Sequence, residues 1–417
     1  MPDTSNRNLA LFALGFRPFF LGAALAGALM IPLWTLSFAG YLAPPTGVAG
    51  FLWHAHEMIY GFVAAVIAGF LLTASQNWTG RRGVHGARLA ALFAIWLLAR
   101  ALAFAPASLL FVYSAVDAVF FPLLATALWP YLAREDQRKH WIFFLFFALL
   151  FAANALFHLE VHGWIRGWFA ASHSLAVHTV VAYLTVIGGR VIPFFTESAI
   201  PAAKITRVPA VESAVLPLTL LFAACDFLLR MPEGIAASSG SAVLQTIHTG
   251  LAALACAAHA ARLVGWRAWQ SRGIPILWIL HAAYGMLVIG FAFHAVGHTI
   301  ALGPNSRSIA LHAFTAGAMG LFIYGMISRV ALGHTGRPIQ AAAPIVFGYA
   351  LLMLAVALRV FAPPLLQLFS AAQPGAVLAR YPDLIFAAGI AWTIAYAILF
   401  LKYAPMLVQS RIDGKAG

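Results

Sequence analysis

The sequence predicts an all-α polytopic membrane protein of about twelve transmembrane helices. Three observations predict it: composition, the spacing of apolar runs, and the placement of charge. Of 417 residues, 63% are hydrophobic and 9% charged, and the mean hydropathy is +0.89. No water-soluble fold has enough interior for that much apolar surface. A soluble enzyme, a disordered chain and a secreted disulfide scaffold are therefore excluded. The net charge of +13 does not point to nucleic acid, because Lys and Arg sit in short clusters between long apolar runs and form no basic face. The two cysteines, Cys225 and Cys256, are too few for a Cys-ligated iron–sulfur cluster and give no disulfide framework.

A transmembrane helix needs about 20 mostly apolar residues. Twelve runs meet this, at 18–39, 51–75, 88–105, 109–131, 141–161, 173–196, 212–231, 242–263, 275–301, 308–331, 342–362 and 384–405. The connections are short and carry breakers such as Ala43-Pro44-Pro45. No loop is long enough for a soluble domain, so residues 1–417 read as a single transmembrane helical-bundle domain. The first run is long enough to stay in the bilayer, and no cleavable signal peptide is expected. With the N-terminus cytoplasmic, 18 Lys and Arg fall at inner ends and 6 at outer ends. That split fits the positive-inside rule and places both termini in the cytoplasm.

Histidine is the informative residue. There are fifteen, in a setting where ionisable groups are costly and usually functional. Ten lie toward the outer face: His54 and His56, His158 and His162, His173 and His178, His248, His294 and His298, and His312. His56, His178, His248 and His312 each follow the start of their span by five or six residues, which places them in one plane roughly 8 Å below the outer edge. A layer of imidazoles on several helices at one depth is how a bundle builds a metal or haem site. A single His near a helix end is usually an interfacial side chain; ten on one side are not explained that way. The inner histidines (His85, His140, His259, His281 and His334) read as non-ligands. His158/His162 and His294/His298 are i,i+4 pairs with both rings on one helix face. Phe157-His158 followed by Ser174-Leu-Ala-Val-His178 resembles Phe293-His294 followed by Ser308-Ile-Ala-Leu-His312, so spans 5/6 and 9/10 read as copies of one hairpin.

Other polar groups lie inside the spans. Glu57, in Trp53-His54-Ala55-His56-Glu57-Met58, either passes protons to a bound substrate or orients a histidine. Asp117, in mid-span 4, is expected to pair with an Arg such as Arg100 or to serve as a proton step. Asp226 and Arg230 are spaced i,i+4 as a structural pair. Arg190 and Arg329 either snorkel to headgroups or contact haem propionates. Asn77-Trp78-Thr79-Gly80-Arg81, with its Trp anchor, and His334-Thr335-Gly336-Arg337 read as inner interfacial loops.

Several segments resemble the NnrS family: Gly15-Phe16-Arg17-Pro18-Phe19-Phe20, the Trp53–Met58 stretch, Gln76-Asn77-Trp78-Thr79-Gly80-Arg81, Gly188-Gly189-Arg190-Val191-Ile192-Pro193-Phe194-Phe195-Thr196, and Met326-Ile327-Ser328-Arg329-Val330 through Gly333-His334-Thr335-Gly336-Arg337. Arg82 stands where the family pattern has proline. The resemblance implies a bacterial inner-membrane protein of about twelve helices that contains haem and copper and belongs to the nitric oxide response, often beside denitrification genes. It carries no ligand residue by residue. With an imidazole-rich outer layer it implies heme b and copper. On spacing alone, His294, His298 and His312 are the preferred copper set and His56, His178 and His248 the haem set. The two sets are interchangeable, and His54, His158, His162 and His173 are further candidates. The expected function is binding, and reduction or detoxification, of nitric oxide, with Glu57 as proton donor. A non-catalytic NO-sensing haem protein and a copper or haem transporter are the alternatives. The expected partners are nitric oxide, membrane lipid and an electron donor the sequence does not identify, with no c-type haem Cys-x-x-Cys-His motif and no nucleic acid.

Overall fold

The computed structural model describes residues 10–45, 48–232, 241–297, 306–369 and 374–414, without the side chains of Ser241 and of residues 368–379. It is helical throughout, with no strand among the described residues. The helices are α1 Phe16–Phe38, α2 Gly50–Thr79, α3 Gly86–Leu102, α4 Ala107–Leu132, α5 Ile142–Val161, α6 Phe169–Ala199, α7 Pro209–Leu229, α8 Ser241–Gly265, α9 Pro275–Val296, α10 Ser306–His334, α11 Ala343–Gln367 and α12 Arg380–Val408. Among the described residues eleven are long and apolar enough to cross a membrane. The third expected span is α3, also a helix, whose 17 residues put it at the short end of the crossing range. Helix α4 is broken at Val119.

Three helices are not regular. α2 opens into a π-helical stretch at Glu57–Val63, α10 at Ala313–Gly320 and α11 at Ala357–Phe361. The first two begin directly after His56 and His312. Such insertions widen the helix by one residue and are frequent at functional sites. Of the two expected loops, residues 77–79 and His334 are still helical, and only residues 80–81 and 335–337 leave the helix. Each turns on a left-handed glycine, Gly80 at φ +65° and Gly336 at φ +77°, a conformation that costs glycine nothing.

The chain packs as two compact units. Unit 1 comprises residues up to Ala155 with Met326–Gly348 and the chain from Thr393 onward; unit 2 comprises Leu156–Gly325 and Tyr349–Trp392. In unit 1 the Arg17 side chain is fully buried. Its guanidinium donates to Leu407 O at 2.9 Å and Gln409 O at 2.6 Å, which satisfies carbonyls that the end of α12 leaves unbonded. Arg17, counted in the sequence among the inner topology charges, is therefore also an internal tie.

In unit 2 the packing of α7, α8 and α9 follows helical periodicity. Glu212, Thr219, Phe222 and Asp226 share one face of α7, His248, Ala252, Ala255, His259 and Arg262 one face of α8, and Tyr284, Phe291 and His294 one face of α9. These stripes meet, with α8 against both neighbours. A single inter-helix seam thus carries aromatic, basic and acidic groups along its length.

Candidate functional site

Unit 1 buries a network around His56. On α2, His56 Nδ1 lies 3.2 Å from Glu57 Oε1, and Tyr113 Oη is 3.4 Å from the same nitrogen. His56 Nε2 lies 3.0 Å from Asn154 Oδ1 and 3.2 Å from Asp117 Oδ2. Asn154 Nδ2 donates to Asp117 Oδ2 at 2.8 Å. Arg100, from α3, donates to Asp117 Oδ1 and lies 3.3 Å from Glu57 Oε2. All six residues are buried. Gly61, in the π stretch, makes the approach possible: a Cβ there would stand 3.0 Å from Glu57 Oε2 and 3.2 Å from the Arg100 Cδ. The expected Arg100–Asp117 pairing is present. Both ring nitrogens of His56 are occupied by protein groups. Asn154 and Tyr113 were not foreseen; the available signal for Asn154 was its i,i+4 spacing to His158 on α5.

Unit 2 buries a different arrangement around Asp226, on α7. Asp226 Oδ1 accepts from Arg230 at 3.1 Å and lies 3.2 Å from His248 Nε2. Asp226 Oδ2 accepts from Ser174 Oγ at 2.6 Å, and Ser174 Oγ is 3.3 Å from His178 Nδ1. The hydrogen-bond order settles the His178 tautomer. The Ser174 hydroxyl gives its proton to the carboxylate, so its oxygen accepts from His178 Nδ1–H and leaves the lone pair of His178 on Nε2. His248 Nε2 faces the same carboxylate at 3.2 Å without a hydrogen bond to it. His178 Nε2, both ring nitrogens of His248 and His294 Nε2 are all buried without a hydrogen-bond partner. The His294 ring is 5.5 Å from that of His248 and 6.1 Å from that of His178. Asp226, His248 and His294 each offer a ligand atom within 4.8 Å of the others'. Buried imidazole nitrogens without partners are costly in an apolar interior unless something else binds them. Imidazoles backed by a carboxylate are the donor set of a transition-metal ion. The residues present therefore fit a metal ion.

The structure regroups the expected sets. His178 and His248 join His294 at Asp226, whereas His56 belongs to the unit 1 network. His312, also in unit 2, has Nδ1 2.6 Å from Ser308 O, while Ser308 Oγ accepts from Arg359 at 2.8 Å. His298 lies outside the described residues. His158 is buried one turn after Asn154 on α5, while His162 follows the helix end and stacks on Trp164 at 5.0 Å. His54 stacks on Trp34 at 4.4 Å, and His173 Nδ1 lies 3.1 Å from Phe169 O. Arg190 is exposed and Arg329 half-buried. Sequence spacing paired Asp226 with Arg230 correctly and missed that the same carboxylate reaches His178 through Ser174 and faces His248. Ser174 and Phe222, whose ring touches all three imidazoles at 4.6 to 5.1 Å, were also missed. Each inner histidine has a protein partner: Gly83 O for His85, Trp78 for His140, Tyr284 and Thr219 for His259, Thr196 for His281 and Phe16 for His334.

Fold and site together define a multi-pass α-helical membrane protein with buried histidine–carboxylate clusters. The chain belongs to the NnrS family: the family model described as NnrS protein matches residues 10–411. No curated protein matches the chain.

Proposed function

We propose that this is a bacterial inner-membrane metalloprotein of the nitric oxide response that binds, and reduces or detoxifies, nitric oxide at the Asp226 cluster of unit 2. The observation that carries the reading is the set of four buried imidazole nitrogens, on His178, His248 and His294, left without hydrogen-bond partners around one carboxylate. Copper suits this donor set better than magnesium or calcium, because the free donors are nitrogens. Bound there, copper supplies a one-electron centre with affinity for a small neutral ligand. The protein's own part is orientation: Asp226 acts through Ser174 on the tautomer of His178 and faces His248, and Arg230 balances the carboxylate charge. The aromatic rings of Phe222, Phe291 and Phe314 exclude water from the seam. Heme b enters this reading through the family alone, and no described residue set is assigned to it. Nitric oxide is small and weakly polar, so it reaches the cluster through lipid.

The test is a preparation made with copper and haem both supplied, followed by metal analysis, a visible spectrum and an anaerobic NO-electrode assay. Stoichiometric copper is expected, lowered about tenfold or more in His248→Ala and His294→Ala. Consumption of NO beyond a few equivalents would distinguish turnover from capture. Copper that is absent, or unchanged in both variants, would overturn the assignment.

A further inference from the structure

We infer that Tyr284, hydrogen-bonded to His259, is a redox-active tyrosine. It would serve a proton-coupled electron relay that runs along the α7–α8–α9 seam to the histidine cluster. The direction of the relay rests on the metal reading above; the chemistry of the pair does not.

The hydrogen bonds again fix the protons. Thr219 Oγ1 donates to Val215 O at 2.7 Å. Its oxygen therefore accepts from His259 Nε2–H, 3.0 Å away. His259 is then the Nε2–H tautomer, and its Nδ1 lone pair accepts the Tyr284 phenol proton at 2.7 Å. That distance lies within the reach required of a general base. His259, Tyr284 and Thr219 are all fully buried, so the phenol has no water as an alternative acceptor. Arg262 Nη1 donates to the Tyr284 oxygen at 3.2 Å, and Glu212 balances the guanidinium through contacts of 2.6 and 3.1 Å.

Phenol oxidation in an apolar interior requires the proton to leave with the electron, since a buried phenol cation is strongly disfavoured. Here Tyr284–OH loses one electron, its proton moves to His259 Nδ1, and the products are a neutral phenoxyl and an imidazolium. The electron goes to a one-electron oxidant, the class of centre proposed at Asp226. A one-electron reductant reverses the step, and the proton returns from His259.

The rings make a continuous path. Tyr284 lies 5.5 Å from His259, His259 stacks on Phe291 at 5.1 Å, Phe291 meets Phe222 at 5.2 Å, and Phe222 stacks on His248 at 4.6 Å. On the other side Trp266, the second readily oxidised ring, is 4.5 Å from Tyr284. One motif glycine gives the arginine beside this pair its room: a Cβ on Gly189 would collide with the Arg262 guanidinium.

The test needs no metal. A ruthenium polypyridyl photosensitiser is attached to Cys256, which is half-buried and one turn before His259 on α8, whereas Cys225 is buried. Flash-quench oxidation of the full chain is followed by transient absorption and freeze-quench EPR. The expected product is a neutral tyrosyl radical, absent in Tyr284→Phe. In His259→Gln the amide oxygen still accepts the phenol hydrogen bond but takes no proton, so the radical should form about a hundredfold more slowly, with its solvent deuterium effect altered. An unchanged radical yield in Tyr284→Phe, or an unchanged rate in His259→Gln, would overturn the proposal. Failure of the protein to bind copper would leave this measurement intact, so the two readings fail separately.

Discussion

The two units each bury an aspartate and histidine beside an arginine, and they use them differently. In unit 1 the partners close on one another: both nitrogens of His56 are engaged, and Arg100 stands between Glu57 and Asp117. In unit 2 the carboxylate of Asp226 engages one side of His178 through Ser174 and faces His248, and leaves His178 Nε2 and both His248 nitrogens without hydrogen-bond partners. The same residue types thus make a network that saturates its histidine in one place and leave an open donor set in the other. The two units differ in the count of leftover imidazole lone pairs, not in the presence of buried charge.

The largest expected effect tests the saturated side. Arg100→Leu leaves Glu57 and Asp117 buried without their cation. Breaking a buried pair in this way costs about 3 to 5 kcal/mol, so the variant should lose most of its thermal stability in detergent. Arg230→Leu removes the cation from Asp226, but that side chain is 23% exposed and water replaces part of it, so the expected loss is about 1 kcal/mol. Equal melting losses in the two variants would erase the distinction between the units.

Asp226→Asn comes next and tests the open side. The amide still packs, but it no longer acts as a carboxylate through Ser174 on the His178 tautomer or presents a charge to His248. Copper retention should fall about 10- to 100-fold, with melting little changed. Asp117→Asn should show the reverse, lost stability with copper retention intact. Metal analysis and melting curves on both variants check the crossover.

How much of this was legible beforehand depends on the range of the interaction. Apolar runs and charge alternation depend on local sequence, and eleven of the twelve expected spans reappear as helices long enough to cross, with α3 the short one. The i,i+4 pair Asp226/Arg230 and the Arg100–Asp117 pairing were also within reach, because a buried carboxylate demands a cation. Grouping histidines by depth was less secure. Helix α6 begins at Phe169, four residues before the expected start, so His178 sits deeper along its helix than the count implied. The grouping of His178 and His248 with His294 depends on which helix faces meet, which no single-helix pattern encodes. The π stretches after His56 and His312 had only scattered glycines as a trace. The Ser-x-x-x-His likeness of the two hairpins is reproduced locally, with Ser–His contacts of 3.3 and 3.4 Å. It diverges in partner, since Ser174 gives its proton to Asp226 and Ser308 accepts from Arg359.

Gly61→Ala probes how tightly the unit 1 network is built. The added methyl would press on Glu57 Oε2 at 3.0 Å and on the Arg100 stem at 3.2 Å. Buried overpacking of this kind costs about 1 to 3 kcal/mol, read as a lowered melting temperature without loss of copper. An unchanged melting temperature would mean that the Glu57–Arg100 contact is looser than the saturated description requires.

The smallest effect separates the two hairpins most finely. Ser174→Ala removes the hydroxyl that links His178 to Asp226, so His178 loses one of the contacts that keep its proton on Nδ1. A single hydrogen bond of this kind contributes about 1 kcal/mol, and the copper dissociation constant should rise a few-fold. Ser308→Ala deletes the corresponding hydroxyl near His312, but its partner Arg359 keeps Tyr381 Oη at 2.7 Å and no open imidazole depends on it. Copper affinity in that variant should stay at the wild-type value. If both serine variants weaken copper equally, then His312 belongs to the metal site after all, and the division of labour drawn between the two hairpins is wrong.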